Sequence, residues 1–233
     1  GGAAPHNLRN LPGGQEMKVV VAAFLPGAVT TEWIELADAA LVLWMPGEQV
    51  GPALADLLTG AAEPGGRLPV TFPRVDEQRF TAEQFPGVNL LSTFSEGVLV
   101  GYRWNDANGV EAAFPFGYGL SYTEFKFSAF TAACDTSGAT VSLQVANVGM
   151  RAGSAVPQVY VGFPSLKPVL RQLRGFKKVH VPAGSTVAVT FHLVAEDWSF
   201  YDISQQAWSS ASDLGEQITI SVGTSSADLV WSK

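Results

Sequence analysis

A chain of 233 residues, 47% hydrophobic and 15% charged, holds enough apolar material for one large domain or two modest ones. Fourteen basic against 21 acidic residues give a net charge of −7, the reverse of a nucleic-acid footprint, and 11% aromatics oppose disorder. Glycine is frequent, at 24 residues, but has no collagen period, and no apolar run reaches the ~18–20 residues of a membrane-spanning helix.

In chain order, Lys18–Phe24 (KVVVAAF) reads as a short buried strand and Ala39–Met45 (AALVLWM) as a second, stopped by Pro46-Gly47. Between them Glu32, Glu35 and Asp38 share a face if Thr31–Ala37 is helical, which reads as a solvated first turn capped by Thr30 or Thr31. Across Gln49–Gly60, Val50, Ala53, Leu54, Leu57 and Leu58 recur at i, i+3, i+4, i+7 and i+8, one apolar helix face ended by Gly60. Arg67–Phe72 follows as a strand between Pro64-Gly65-Gly66 and Pro73, and Val98–Trp104 as another before the Asn105–Gly109 turn. Strand, helix, strand is the order of a parallel α/β unit.

From Ser121 onward the helical period disappears. Short alternating strands are expected at Phe125–Phe130, Ala139–Ala146, Val156–Phe163, Phe176–Val181, Thr186–Leu193 and Gln217–Val222. Turn signals such as Asn147-Val-Gly149 and Pro182-Ala-Gly184 separate them, the texture of an all-β sandwich. The glycine-rich Phe114-Pro-Phe-Gly-Tyr-Gly119 marks a tight crossing between two units, 1–119 and 120–233. The expected fold is therefore α+β and multidomain: a truncated parallel-sheet α/β domain, then an all-β immunoglobulin/fibronectin III-like sandwich.

The search for chemistry is lean. There is no G-x-S-x-G elbow, and His6, His180 and His192 lie near no serine or cysteine motif. No His/Cys/carboxylate set has zinc spacing, and Gly117-Tyr-Gly119 is no nucleotide loop, so neither metal nor cofactor is expected. Lys167, Arg171, Arg174, Lys177 and Lys178 alternate with Val169, Leu170, Leu173 and Phe176 and read as a solvated face of extended structure. Glu196-Asp197 reads as a turn. The lone Cys134 permits no intrachain disulfide and reads as a small buried hydrophobe. The residues alone single out no catalytic group.

Two long stretches carry more. Pro46-Gly-Glu-Gln-Val-Gly-Pro-Ala-Leu-Ala-Asp-Leu-Leu-Thr-Gly60 and Glu63-Pro-Gly-Gly-Arg-Leu-Pro-Val-Thr-Phe-Pro73 closely resemble glycoside hydrolase family 3, the family of β-glucosidases and β-xylosidases. Gly101-Tyr-Arg-Trp104 with Phe114-Pro-Phe-Gly-Tyr-Gly-Leu-Ser-Tyr-Thr123 resembles the same family's domain junction. Asn147–Gly153, Gln158–Val161, Leu173–Lys178 and Pro182–Gly184 resemble its fibronectin type III-like domain.

The resemblance implies a nucleophilic aspartate in an N-terminal barrel, to which nothing here corresponds. It places an acid/base glutamate in a segment like EGxDRxNLxLPxxQ. Aligning Asn7-Leu8 with that segment puts Gly1 at the glutamate, Ala4 at the aspartate and Pro5 at the arginine. Retaining hydrolysis needs two carboxyl groups about 5–5.5 Å apart, so the expected catalytic set is empty and the chain alone is expected to be inactive. Gln15-Glu-Met-Lys18 also runs directly into the first strand, where the family has a helix. A sheet of three or four strands with one exposed apolar face, near Val19–Phe24 and Leu41–Trp44, is therefore expected, open to the missing barrel, a second copy or another protein.

The alternative is a degenerate relative acting as an interaction or glycan-binding module through Trp198, Tyr201 or Trp208, although Trp198, Phe200 and Tyr201 are expected to pack on the sandwich. A β-glucoside or other glycan is the implied ligand. Neither a nucleic acid nor a membrane span is expected. The resemblance favours an extracellular or periplasmic location.

Overall fold

The computed structural model describes residues 17–74, 81, 83–135 and 138–233. Strands β1 (Val20–Ala23) and β2 (Ala39–Val42) pair in parallel, with Val20 opposite Ala39 and Ala23 opposite Val42. Their crossover holds a 3-10 helix, Glu32–Leu36, in place of an α-helix. Helix α1 (Val50–Thr59) stops where Gly60 turns left-handed at φ 75° and its N–H bonds back to the Leu57 carbonyl. Helix α2 (Tyr102–Asn108) stops in the same way at Gly109, φ 63°.

The remaining chain is a β-sandwich. One sheet takes β3 (Phe125–Cys134), β4 (Gly138–Asn147) and β9 (Thr186–Val194), in the order β3-β4-β9. The facing sheet runs β13-β12-β6-β7, from β6 (Gln158–Gly162), β7 (Gln172–Phe176), β12 (Thr219–Gly223) and β13 (Leu229–Ser232). A short ribbon joins β5 (Gly153–Ala155) to β8 (Val179–Val181), and a hairpin joins β10 (Ser199–Asp202) to β11 (Ala207–Ser210).

Alternation builds the core between the sheets. In β4 the residues Ala139, Val141, Leu143 and Val145 point inward, and in β9 Val189, Phe191 and Leu193 do so. Val159, Val161, Ile220 and Val222 meet them from the other sheet, with Trp198 closing one end at 3% exposure. Each such aliphatic contributes on the order of 1.5–3 kcal/mol on burial. Every residue of this cluster lies at or beyond Ala139. Residues 17–74 and 83–119 contribute one fully enclosed large side chain, Phe72 at 2%, and α1 buries none of its residues.

Several expectations change. Arg67–Phe72 is not a strand: with Pro69 and Pro73 removing donors, it is held by Leu68 N to Tyr118 O, Gly117 N to Leu68 O, and a bridge from Phe72 to Phe114. Val98–Trp104 is not one either. Gly101 at φ 60° turns the chain into α2 and leaves Val98 and Val100 on the surface. Among the described residues the parallel sheet therefore has two strands. Residues 1–16, with the expected acid/base alignment at Gly1, Ala4 and Pro5, lie outside the described residues.

In the sandwich, Val156–Phe163 shortens behind Pro157 to β6, with β5 ending earlier at Ala155, and Phe176–Val181 divides between β7 and β8. Cys134 ends β3 and is exposed, past the edge of the core cluster. The Thr31 hydroxyl does not cap its helix but donates to the Pro73 carbonyl at 3.1 Å. Asp38 accepts from Val19 N at 2.8 Å and Lys18 Nζ at 3.2 Å, tying the start of β1 to β2.

Asn147, 2% exposed at the end of β4, uses both ends of its amide. Oδ1 accepts from Thr123 Oγ1 at 2.6 Å and Gly149 N at 3.1 Å, and Nδ2 donates to Arg151 O at 2.7 Å and Val181 O at 2.9 Å. Asn147→Ala orphans these groups and is expected to lower the unfolding free energy by about 2–3 kcal/mol, read as a shift in the urea midpoint.

Candidate functional site: the seam between the two halves

Several buried and hydrogen-bonded polar side chains gather where the first half meets the sandwich. Strand β6 has neighbours on both sides and is buried on both faces. Val159 and Val161 face the core, so the period of two sends Gln158 and Tyr160 the other way, toward Phe116, Gly117 and α2. Gln158 Nε2 donates to Gly117 O at 3.0 Å and Thr224 O at 2.7 Å, while its Oε1 accepts the Tyr160 hydroxyl at 2.6 Å. Gly117 sits at φ 82°, and a Cβ there would lie 2.1 Å from Gln158 Oε1. Only glycine allows this approach.

Around that contact, Tyr102 of α2 meets the Tyr160 ring edge-on at 5.9 Å and the Phe116 ring at 5.0 Å. The Tyr102 hydroxyl accepts the Leu173 N–H at 2.8 Å. Arg171 Nη2 donates to Asp106 Oδ1 and to Ser226 O, each at 2.8 Å. The second Asp106 oxygen is enclosed and has no partner. Burial therefore raises the Asp106 carboxyl above its ordinary value, against the pull of Arg171. Burial likewise raises Tyr102 and Tyr160.

A cleft of about 540 Å³ opens further along the seam, lined by Ala61, Glu63, Arg151, Ala152, Gly153, Ser154 and His180. Glu63 reaches from the first half, accepting Ser121 Oγ at 2.5 Å and Ser154 N at 3.1 Å. Arg151 reaches back, donating to Gly60 O and stacking over Tyr122 at 5.6 Å, and the Tyr122 hydroxyl donates to Leu57 O at 2.8 Å. Among the described residues Glu63 is the only carboxylate lining this cleft, and both its oxygens are engaged. One carboxylate without a partner across a gap cannot perform the two-carboxyl hydrolysis of a glycoside. The cleft joins the halves and, among the described residues, has no acid/base pair.

The remaining expected positions scatter. Of the basic cluster, Arg171 belongs to the seam and Lys177 folds over Phe191 and donates to Thr190 O, so the five do not form one solvated face. His180 lies exposed at the cleft edge, and His192 is exposed beside Thr140 Oγ1 at 3.3 Å. Asp197 Oδ2 caps Val194 N at 2.9 Å within a 3-10 turn. Trp198 is buried and Phe200 packs beside Phe163, but Tyr201 is half exposed at 51% and Trp208 exposed at 72%, contrary to the packing expected of Tyr201. No group of three or more His, Cys, Asp or Glu gathers among the described residues. Sequence reasoning did not single out Gln158, Asp106 or Tyr102; a polar residue heading the apolar run Gln158–Val161 was the available signal.

Comparison with known proteins agrees with this geometry. Residues 13–122 match the Glycosyl hydrolase family 3 C-terminal domain, and residues 155–226 the Fibronectin type III-like domain. A β-glucosidase of Rhizobium radiobacter is 37% identical over 79% of this chain and 24% of its own length. Thermostable β-glucosidase B of Acetivibrio thermocellus is 34% identical over 92% of this chain and 29% of its own. Among solved structures, DesR, a β-glucosidase from Streptomyces venezuelae solved with D-glucose, superposes with a TM-score of 0.85 at 34% identity over 93% of this chain and 28% of its own. β-Glucosidase 3B from Thermotoga neapolitana gives 0.81 at 31%, over 93% and 30%. The chain thus spans about a quarter to a third of the length of these relatives.

Because folded Asp106 holds its proton more tightly than the unfolded chain does, its stabilising contribution is complete below the ordinary carboxylate value of 3.8 and is lost as pH rises through the raised folded value. The unfolding free energy of the wild type minus that of Asp106→Asn is therefore expected to fall from about pH 3 to about pH 6, by urea titration. A rising difference would mean that the Arg171 attraction outweighs desolvation.

Proposed function

Since the chain belongs to glycoside hydrolase family 3, as its C-terminal α/β domain and the fibronectin type III-like domain behind it, we propose that it is the non-catalytic C-terminal portion of a β-glucosidase-like hydrolase. In this reading the unit boundary falls at Gly119, with 1–119 as the α/β unit and 120–233 as the sandwich that braces it. The observation that carries the reading is the uneven core. The sandwich has a closed apolar cluster, while the α/β half relies on the seam and leaves much of its apolar surface open.

That open surface is specific. Val20, Phe24, Met45 and Leu58 are exposed on and near β1 and α1, and Phe85, Leu90, Leu91 and Phe94 project from the segment before α2. Leu41–Trp44, expected to be bare, is half buried, while exposed apolar side chains recur along residues 85–100. A soluble monomer rarely exposes apolar patches beyond a few hundred Å². We infer that this face docks the N-terminal catalytic portion of the parent enzyme, and that the chain by itself associates through it.

Two measurements test the proposal. The purified chain is expected to release no nitrophenol from p-nitrophenyl β-glucoside, and any turnover that copurifies with it refutes the non-catalytic reading. Light scattering at tens of micromolar is expected to report an oligomer, and a clean monomer would remove the associating face.

A further inference from the structure

The hairpin β10–β11 carries an aromatic pair that neither the core nor the seam uses. Tyr201 and Trp208 are direct cross-strand partners, so both side chains leave the same face of the ribbon. Phe200, on the opposite face, packs on Phe163 and anchors the hairpin to the core. The two outer rings meet edge to face, with centroids 5.9 Å apart and planes at 80°. They are 51% and 72% exposed, and neither the Tyr201 hydroxyl nor the Trp208 indole N–H makes a hydrogen bond among the described residues.

The surroundings restrict what these rings can bind. From Val179 to Ser232 the chain contains no lysine or arginine, while Glu196, Asp197, Asp202, Asp213, Glu216 and Asp228 all fall in that stretch. The hairpin itself, Ser199–Ser210, carries Asp202 and no cation of its own to pair with a phosphate. A four-residue turn with Gln205 and Gln206 exposed offers amides beside the rings, and Asp202 is tied down by Ser204 and Gln205. A ligand suited to this face is neutral, with apolar C–H faces for the negative ring face and hydroxyls for the amides and free ring donors.

We propose that Tyr201 and Trp208 form a carbohydrate-binding platform for a single soluble β-glucan chain, apart from the seam. The pyranose of a β-glucosyl unit carries its hydroxyls equatorially and so presents flat C–H faces, one of which stacks on Trp208. Rings at 80° do not form a flat bed, so the platform fits one bent, soluble chain and not a crystalline surface. The choice of β-glucan among neutral polymers rests on the β-glucosidase-like reading above. The platform itself rests on the hairpin geometry and the missing cations.

Affinity electrophoresis of the whole chain through gels containing mixed-linkage β-glucan tests it, with starch gels and phosphatidylserine vesicles as further arms. The β-glucan gel is expected to retard the wild type and the vesicles to leave it unbound. Trp208→Ala should weaken retardation about tenfold and Tyr201→Ala less, while Trp208→Phe keeps most of it. Because Trp208 is exposed, its Ala variant should keep the wild-type melting temperature, which separates lost binding from lost folding. Retardation by starch alone overturns the β-glucan occupant and leaves the platform standing, without bearing on the glucoside assay. No retardation in either gel, undiminished retardation of Trp208→Ala, or vesicle binding overturns the platform.

Discussion

Strand β6 is enclosed on both faces, and much of the molecule is arranged around that constraint. A central strand with an apolar inner face is common. Here the outer face carries Gln158 and Tyr160, and buried polar atoms destabilise unless each finds a partner. Gly117 and Thr224 supply acceptors for the Gln158 amide, and the Tyr160 hydroxyl supplies its donor. The first half of the chain is thus held less by apolar contact than by satisfying polar groups on the sandwich. Arg171 with Asp106, Glu63 with Ser154, and Arg151 with Gly60 extend the same logic along the seam. Such directional contacts fix orientation more than they add stability, since paired buried charges pay heavily for desolvation.

The two halves differ accordingly in how they resist opening. The sandwich has the closed cluster, whereas β1, β2 and α1 bury almost nothing among themselves. Segments with few buried apolar contacts occupy the low-stability end of a structure. A partner covering exposed apolar side chains such as Phe24 or Leu58 would supply what the α/β half lacks, so docking and local ordering would be one event. The seam keeps that half correctly oriented until then.

Much of the sandwich was legible because its strands alternate cleanly: the pattern Val141, Leu143, Val145 admits only one inward face, and β9 repeats it. Helix α1 was legible from its spacing and its glycine stop. The tight crossing at Phe114–Gly119 was legible from its glycines, although the reason for Gly117, the approach of Gln158, was not. That contact joins residues 41 positions apart, and no local pattern encodes it. Strands β5, β10, β11 and β13 were missed because short runs of Gly, Ser, Ala, Tyr and Trp show no alternation strong enough to read. The apparent strands at Arg67–Phe72 and Val98–Trp104 misled for a related reason. An apolar run reports hydrophobicity, but proline and a left-handed glycine decide whether a ladder can form.

The stretch without cations at the end of the chain has a practical side. Trypsin cuts after lysine and arginine, and Lys178 is the last such residue before Lys233. Residues 179–233 therefore survive complete digestion as one peptide, which contains β9, β12, β13 and the whole aromatic hairpin. Strands β3 to β7 are divided among smaller pieces. In the folded protein the exposed link at Lys177-Lys178, between β7 and β8, separates a segment that holds the seam's Arg171 and Gln158 from one that holds the ring pair.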